Sequence, residues 1–384
     1  MKPDAQVTTD AYFRQNVGLD ISKNKFTACL YMYNIARDSG QCTACIDFPN
    51  TKTGFNQMVK WSRREALKGY PLTYLMEPTG VYYEPLAYHL NKINQTVYVV
   101  LPNKARSFCE YGGIKTKTDA MDARCLALLG CVDRKLTPWA PPKPIYRELK
   151  QMTRLRTDLV KMRTQVSNHI EALEHMESIN KEVRKCYDRL QENIDKQLEK
   201  NALDIAEIIS RDKELQAKVE RISKAKGLGM NTVVSVIAET QGFYMIRNQK
   251  QLASYAGLDV VARQSGTQDP KRRISKKGNS NIRAALYMPA LNAARFNKQM
   301  IQTYTRICQK HPEAKKIGVT AVMRKMLLLI YTLWKTGEEY DENRDCTHTP
   351  QKKEYALEYT MEDCISTSSS YEEDIMDIDK EPPF

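Results

Sequence analysis

The apolar runs at residues 16–21 and 26–33, parted by the turn Ser22-Lys23-Asn24, read as two strands. Residues 42–48 alternate like a third strand. Over residues 51–68 the period becomes helical, with Phe55, Met58, Val59 and Trp61 on one apolar side. A short apolar strand at 72–76, a helix at 82–92, a strand at 97–101 and helices at 103–111 and 119–131 complete the segment. Three strands in succession, then alternating helices and strands, predict an α/β domain over residues 1–137.

Pro138, Pro141, Pro142 and Pro144 mark a linker. After it Ile145, Leu149, Met152, Leu155, Leu159, Met162, Val166, Ile170, Leu173 and Met176 recur at steps of three and four. That period calls for a long helix with one apolar seam, so residues 138–215 are expected to be linker and coiled-coil helices. An antiparallel hairpin packing on itself fits the same pattern. Residues 216–337 predict a second compact unit, mainly α. Residues 338–384 are acidic and polar without an apolar period, and are expected to be a disordered tail.

Charge sharpens the division. From Glu338 to Phe384 there are 15 acidic and 4 basic residues, against 55 basic and 31 acidic in the rest, a net of +24 for the body. So basic a body favours a polyanionic partner. No apolar run reaches the roughly 18 residues of a membrane span, and the first 20 residues lack a signal-peptide core. The expectation is a cytoplasmic protein with no membrane contact, whose ten scattered cysteines stay reduced. Cys42 and Cys45 have CxxC spacing, but no second pair or histidine completes a zinc site, so they read as strand cysteines.

Four carboxylates stand where chemistry is expected. Asp20 lies inside an apolar strand, a costly place for a charge unless it is paired or binds a metal. Glu77 ends another apolar strand, and carboxyl ends of strands in α/β sheets are common sites of chemistry. Asp119 and Asp122, beside Lys115 and Lys117, are spaced to share one helix face. Together such groups can hold Mg²⁺, which clamps a phosphodiester and activates an attacking oxygen. Taken singly, each also fits a cap or a turn, Asp119 and Thr118 being natural helix caps. The order of the elements fits an RNase H-like domain.

A second constellation lies further on. Arg263, Lys271, Arg272, Arg273, Lys276, Lys277 and Arg283 crowd a segment with one acid, Asp269, and with Ser265, Ser275, Ser280, Gly266 and Gly278. Cations give phosphate affinity and glycines allow close backbone approach. A serine among cations is a candidate nucleophile, and a solvated basic loop is the plainer alternative. Gly227-Leu228-Gly229 before an apolar run resembles a helix-hairpin-helix turn.

The segments GLDISKNKF, EPTGVYYEPLAYHL and KTDAMDARCLA, with the SG, ISKKGN and IRAALY elements further on, resemble the insertion-sequence one-ten family of transposases. The resemblance spans about residues 14–340. It implies a RuvC-like, RNase H-type N-terminal domain with the DEDD tetrad at Asp20, Glu77, Asp119 and Asp122, binding Mg²⁺. It implies a C-terminal transposase domain whose nucleophile is Ser265, with Lys115, Lys117, Arg263, Lys271, Arg272, Arg273, Ser275, Lys276, Lys277 and Arg283 on nucleic acid. The activity implied is DNA transposition or site-specific recombination, guided by an element-encoded structured non-coding RNA pairing with donor and target DNA. Protomers would dimerise and assemble to a tetramer on DNA. A Piv-type DNA invertase shares these motifs, and a metal-dependent junction nuclease would use the carboxylates alone. Val260 replaces the family's common proline, and the acidic tail lies outside the family pattern.

Overall fold

The first two predicted strands form a long hairpin: β1 (Phe13–Ile21) pairs antiparallel with β2 (Lys25–Asn34) along its whole length. The structure is a computed structural model that describes residues 13–78, 80–111, 118–261 and 273–343. It divides into two compact units, Met1–Pro141 and Pro142–Phe384.

In the first unit β3 (Ser39–Cys42) and β4 (Ile46–Pro49) both lie on the outer edge of β2. The expected single strand at 42–48 is therefore interrupted. Tyr31 pairs with Cys42 and Ala28 with Ile46, three steps along β2 against four along its neighbour, so one extra residue bulges between them. On the other side of β1, β5 (Leu72–Met76) and then β6 (Thr96–Val99) run parallel, giving the order β3-β2-β1-β5-β6.

The pleat sends alternate residues to opposite faces of this mixed sheet. Val17, Leu19, Ile21, Tyr74 and Met76 point to one face and form a core with Phe55, Met58, Leu86 and Leu90. Those last four come from α1 (Lys52–Glu65) and α2 (Glu84–Lys92). Leu75 points to the other face, against Ala105, Leu126 and Leu129 of α3 (Pro102–Tyr111) and α4 (Asp119–Val132). There α4 crosses β1 at backbone contact: a Cβ on Gly18 would lie 2.0 Å from the Ala123 carbonyl oxygen and 2.2 Å from the Ala127 nitrogen. One expectation fails here. Cys109 and Cys125, on facing sides of α3 and α4 with Cα atoms 6.0 Å apart, are joined in a disulfide rather than left as scattered reduced thiols.

The second unit is helical: α5 (Pro144–Glu174), α6 (Lys181–Ser210), α7 (Lys213–Ser223), α8 (Met230–Thr240), α9 (Gln249–Tyr255), α10 (Ser280–Phe296), α11 (Lys298–Lys310) and α12 (Lys315–Thr336). The apolar seam at 145–176 does give one long helix, but its partner within the chain is α6. Arg211–Glu148, Asn201–Met152, Arg156–Leu198, Arg163–Asp195 and Arg184–Glu174 contacts run in opposite directions along the pair, which is therefore an antiparallel hairpin. Nor is the hairpin a region apart. Tyr146, Leu149, Ile205, Ile208 and Ile209 at its root are buried in one core with Val233, Ile237, Leu286, Met326 and Ile330. A two-helix ribbon has no interior wide enough to bury both faces, so its root borrows the C-terminal helices.

Helix α12 is long and apolar enough by composition to cross a membrane, yet Val322, Met326, Leu327 and Ile330 lie in that core. The acidic tail, expected to be disordered from residue 338, is held through residue 343. Glu339 and Glu342 pair with Lys224 and Lys226, and Tyr340 donates to Asn297 Oδ1 at 3.0 Å. Residues 344–384 lie outside the described residues.

Candidate functional site

The register of β1 and β5 brings two of the four carboxylates together. Leu19 pairs with Met76, so Asp20 and Glu77, one residue further along parallel strands, sit side by side at their carboxyl ends. By the alternation of the pleat both belong to the face covered by α4, with Gly18 and Leu75. The other two arrive on α4. Asn16 meets Gly130, and Gly18 meets Ala127 and Ala123, so α4 runs back along β1 and its first turn comes level with Asp20. Asp119 and Asp122 are in that turn. The Thr118 side chain accepts from Met121 N–H and caps the helix, so Asp119 is not the cap. Their place at a helix N-terminus also favours negative charge.

Three residues that the sequence did not single out complete this corner. Thr27, opposite Asp20 in the hairpin, donates to Asp47 Oδ1 at 2.6 Å. Lys25 donates to Asp47 Oδ2 at 2.7 Å and stands 3.9 Å from Asp119. The Lys25 ammonium and the Thr27 hydroxyl hold the Asp47 carboxyl below its ordinary value. Asp47 in turn raises Lys25, with Asp119 adding to it. Asp47 was hidden because it lies in a strand read only as a polar–apolar alternation.

The donor set at this end of the sheet is four carboxylates, the hard oxygen ligands that suit Mg²⁺. Among the described residues, no group of three or more His, Cys, Asp or Glu side chains is arranged to hold a metal ion. The backbone thus collects the carboxylates at one end of one face, and their side chains would still have to converge around a cation. Lys115 and Lys117 lie outside the described residues.

The basic constellation is anchored at both ends of its loop. β7 (Val260–Val261) and β8 (Arg273–Ile274) pair antiparallel, and Arg263, Ser265, Lys271 and Arg272, which fall between them in sequence, lie outside the described residues. Arg273, Lys276 and Lys277 are exposed. Ser275 donates its hydroxyl to Asp259 and its amide to the Asp259 carbonyl at 2.9 Å. Arg283 donates to the Ala256 and Gly278 carbonyls at 2.8 and 3.2 Å, and its partial burial lowers its basicity. Gly278 passes so close that a Cβ there would lie 2.5 Å from the Gly257 nitrogen. Ser275 and Arg283 therefore hold the segment together from within, while the other three face solvent.

Beneath this segment lies an acid the sequence reading missed. Glu239 is only 3% exposed. It receives Arg154 through Nε at 2.6 Å and Nη2 at 3.0 Å, Asn279 Nδ2 at 2.7 Å and Asn281 Nδ2 at 3.1 Å. Burial alone would raise its pKa, but the net effect of Arg154 and Asn279 is to lower it. Asn279 also caps α10 through its own Oδ1, so one carboxylate ties α5 and α8 to the start of α10. The signal was present: a charged residue directly after the apolar run Val236-Ile237-Ala238.

Comparison with known proteins agrees with the resemblance read from the motifs. Residues 17–181 match a family model described as a transposase, of the DEDD IS110 type. Residues 219–305 match the model described as transposase IS116/IS110/IS902 family. Two curated relatives are the pilin gene-inverting proteins of Moraxella bovis and Moraxella lacunata. Each is 28% identical over 333 residues, covering 85% of this chain and 97% of the relative.

Proposed function

The chain belongs to the IS116/IS110/IS902 family of transposases and is a DNA recombinase, and from that premise we propose that it cuts and rejoins DNA with Ser265 as nucleophile. The observation that carries the reading is the gathering of Asp20, Glu77, Asp119 and Asp122 at one end of one sheet face. Three antiparallel strands followed by two parallel ones support an RNase H-like, RuvC-like domain. Mg²⁺ held by those carboxylates would supply stabilisation of charge on the phosphate and activation of the attacking oxygen. The Ser265 oxygen bonds to phosphorus, one phosphorus–oxygen bond to sugar breaks, and the leaving hydroxyl takes up a proton. Arg263, Lys271 and Arg272 flank the serine in sequence, and exposed Arg273, Lys276 and Lys277 extend the cationic surface for phosphates.

A structured RNA supplies sequence specificity in this reading, the +24 body serving as its electrostatic partner. Protomers associate to dimers and tetramers through the hairpin, whose Leu155, Met162, Val183 and Leu190 are 48, 51, 41 and 47% exposed. Inversion and transposition share this cut-and-rejoin chemistry. The names of the two relatives favour inversion as the second reading.

The test incubates labelled DNA, the RNA that co-purifies with the protein, and Mg²⁺ with wild type, Asp122→Ala and Ser265→Ala. We expect a DNA-linked peptide containing Ser265 from wild type, none from Ser265→Ala, and from Asp122→Ala binding without strand exchange. An adduct on Ser275, or cleavage by Ser265→Ala without any adduct, overturns the serine mechanism in favour of a hydrolytic nuclease. Full recombination by Asp122→Ala overturns the carboxylate site.

A further inference from the structure

Three thiols on the carboxylate-bearing face of the sheet are left unused by the proposed chemistry. Cys29 is fully buried on β2, two residues from Thr27 and on the same face. Cys42 pairs in register with Tyr31, which shares that face too. In a regular strand Cys45 would point the opposite way from Cys42, since it lies three positions further along. The one-residue bulge at the β3–β4 break reverses this and turns both thiols toward Cys29.

The sulfurs of Cys29 and Cys42 are 2.9 Å apart. Cys45 acts on the ionisation of the same pair and meets the Ala120 carbonyl of α4 at 3.5 Å. The groups facing Cys42 are Cys29 and Tyr31 from β2, Cys45 from the bulge and Arg124 from α4. The Cys42 thiol also reaches the Thr43 carbonyl at 3.1 Å. Its hydrogen bond with Cys29, in which either sulfur can donate, and the Arg124 guanidinium outweigh partial burial and bring Cys42 down to about 7. The same bond and complete burial push Cys29 upward. The arrangement is an acidic thiol, a second thiol in hydrogen-bond contact with it, and a guanidinium that favours its charged form.

We propose that Cys42 is a modification site that reacts with low-molecular-weight disulfides, and that Cys29 is its resolving thiol. The Cys42 thiolate attacks one sulfur of the disulfide, forming a mixed disulfide and releasing one small thiolate, which takes up a proton. Cys29, giving its proton to solvent, then attacks the Cys42 sulfur, forming Cys29–Cys42 and releasing the second small thiol. Two protein thiols are oxidised and one small disulfide is reduced to two thiols, so electrons balance. A metal is the less favoured occupant, because no group of three ligating side chains among the described residues is arranged to hold one. Any effect on the carboxylates, through the Cys45–Ala120 contact, rests on the functional reading above. The thiol chemistry does not.

The test treats the reduced full-length protein with oxidised glutathione and maps modified peptides by mass spectrometry under non-reducing conditions. Wild type should give a Cys29–Cys42 linked peptide, and Cys29→Ser should keep one glutathionyl group on Cys42. Alkylation of Cys42 in wild type should follow a pH profile with its midpoint about 7. At pH 7 an ordinary thiol ionising near 8.5 is only about 3% thiolate, against about half here. The lower intrinsic nucleophilicity of an acidic thiolate offsets part of that roughly 15-fold gain, leaving Cys42 about threefold faster. A Cys42 rate no higher than that of exposed Cys186, a midpoint near 8.5, or a disulfide through Cys45 in place of Cys29 would each overturn the proposal. If Cys29→Ser does not fold, the wild-type profile and map decide alone.

Discussion

Replacing Glu239 by alanine should loosen the second unit and, with it, the basic segment that begins α10. The carboxylate is 3% exposed and accepts bonds from Arg154, Asn279 and Asn281. Removing one partner of a buried ion pair costs about 3–5 kcal/mol, because the remaining charge is left without compensation. Arg154 is 41% exposed and can rehydrate, which places the expected loss near about 3 kcal/mol. Glu239→Gln keeps the volume and one acceptor and should lose about half as much. The assay is urea unfolding in a background with Trp61 and Trp139 changed to Phe. Trp334, buried in the second unit's core, is then the only tryptophan reporter. Because the Glu239 pKa is lowered in the folded state, its contribution is present above the unfolded value near about 4.3. It is lost as pH falls through the lower folded value. The gap between wild type and Glu239→Gln should therefore be constant above about pH 5 and narrow below about pH 4. A Glu239→Ala midpoint within about 0.5 kcal/mol of wild type would refute the claim that this carboxylate organises the unit.

Three other outcomes follow from the geometry. Gly18→Ala should destabilise the first unit by about 3 kcal/mol and displace the first turn of α4, since its Cβ would meet backbone at 2.0 Å. Unchanged thermal unfolding of that unit would disprove the close approach. Leu155→Glu with Leu159→Glu should lower the mass of the protein measured by light scattering, and an unchanged mass would confine the seam to the intramolecular hairpin. Neutralising Arg273, Lys276 and Lys277 to Gln should reduce the salt slope of duplex binding by up to about 3, and an unaltered slope would remove these cations from the phosphate contacts.

The elements were legible where one physical cause sets them. Alternation and helical period gave the hairpin at 13–34, α1 and α4 nearly at their observed bounds. One misreading and one choice left open share a cause: they depend on a partner far away in sequence. The strand at 42–48 breaks because β2 must pair with two segments in different register, and nothing within 42–48 announces a bulge. The seam at 145–176 looks like a coiled coil because a heptad pattern specifies an apolar stripe, not which helix covers it. Here α6 covers part of it, and the C-terminal core buries the root.

The same distinction separates two acids that adjoin apolar residues. Asp20 and Glu239 have one signature, a charge where burial is expected, and the desolvation argument applies equally to both. What differs is the company each keeps. Glu239 is enclosed by a guanidinium and two amides that fill both its oxygens, the arrangement of a structural joint. Asp20 stands at a strand end beside Glu77 and level with Asp119 and Asp122, four acids at one end of the sheet with Lys25 3.9 Å from Asp119. Gathering like charges costs free energy unless a cation is present for part of the working cycle. The backbone maintains that arrangement through Gly18, a position with no room for a side chain. The carboxylate corner is thus held together by steric contact between β1 and α4, and its function is to be sought in what neutralises it.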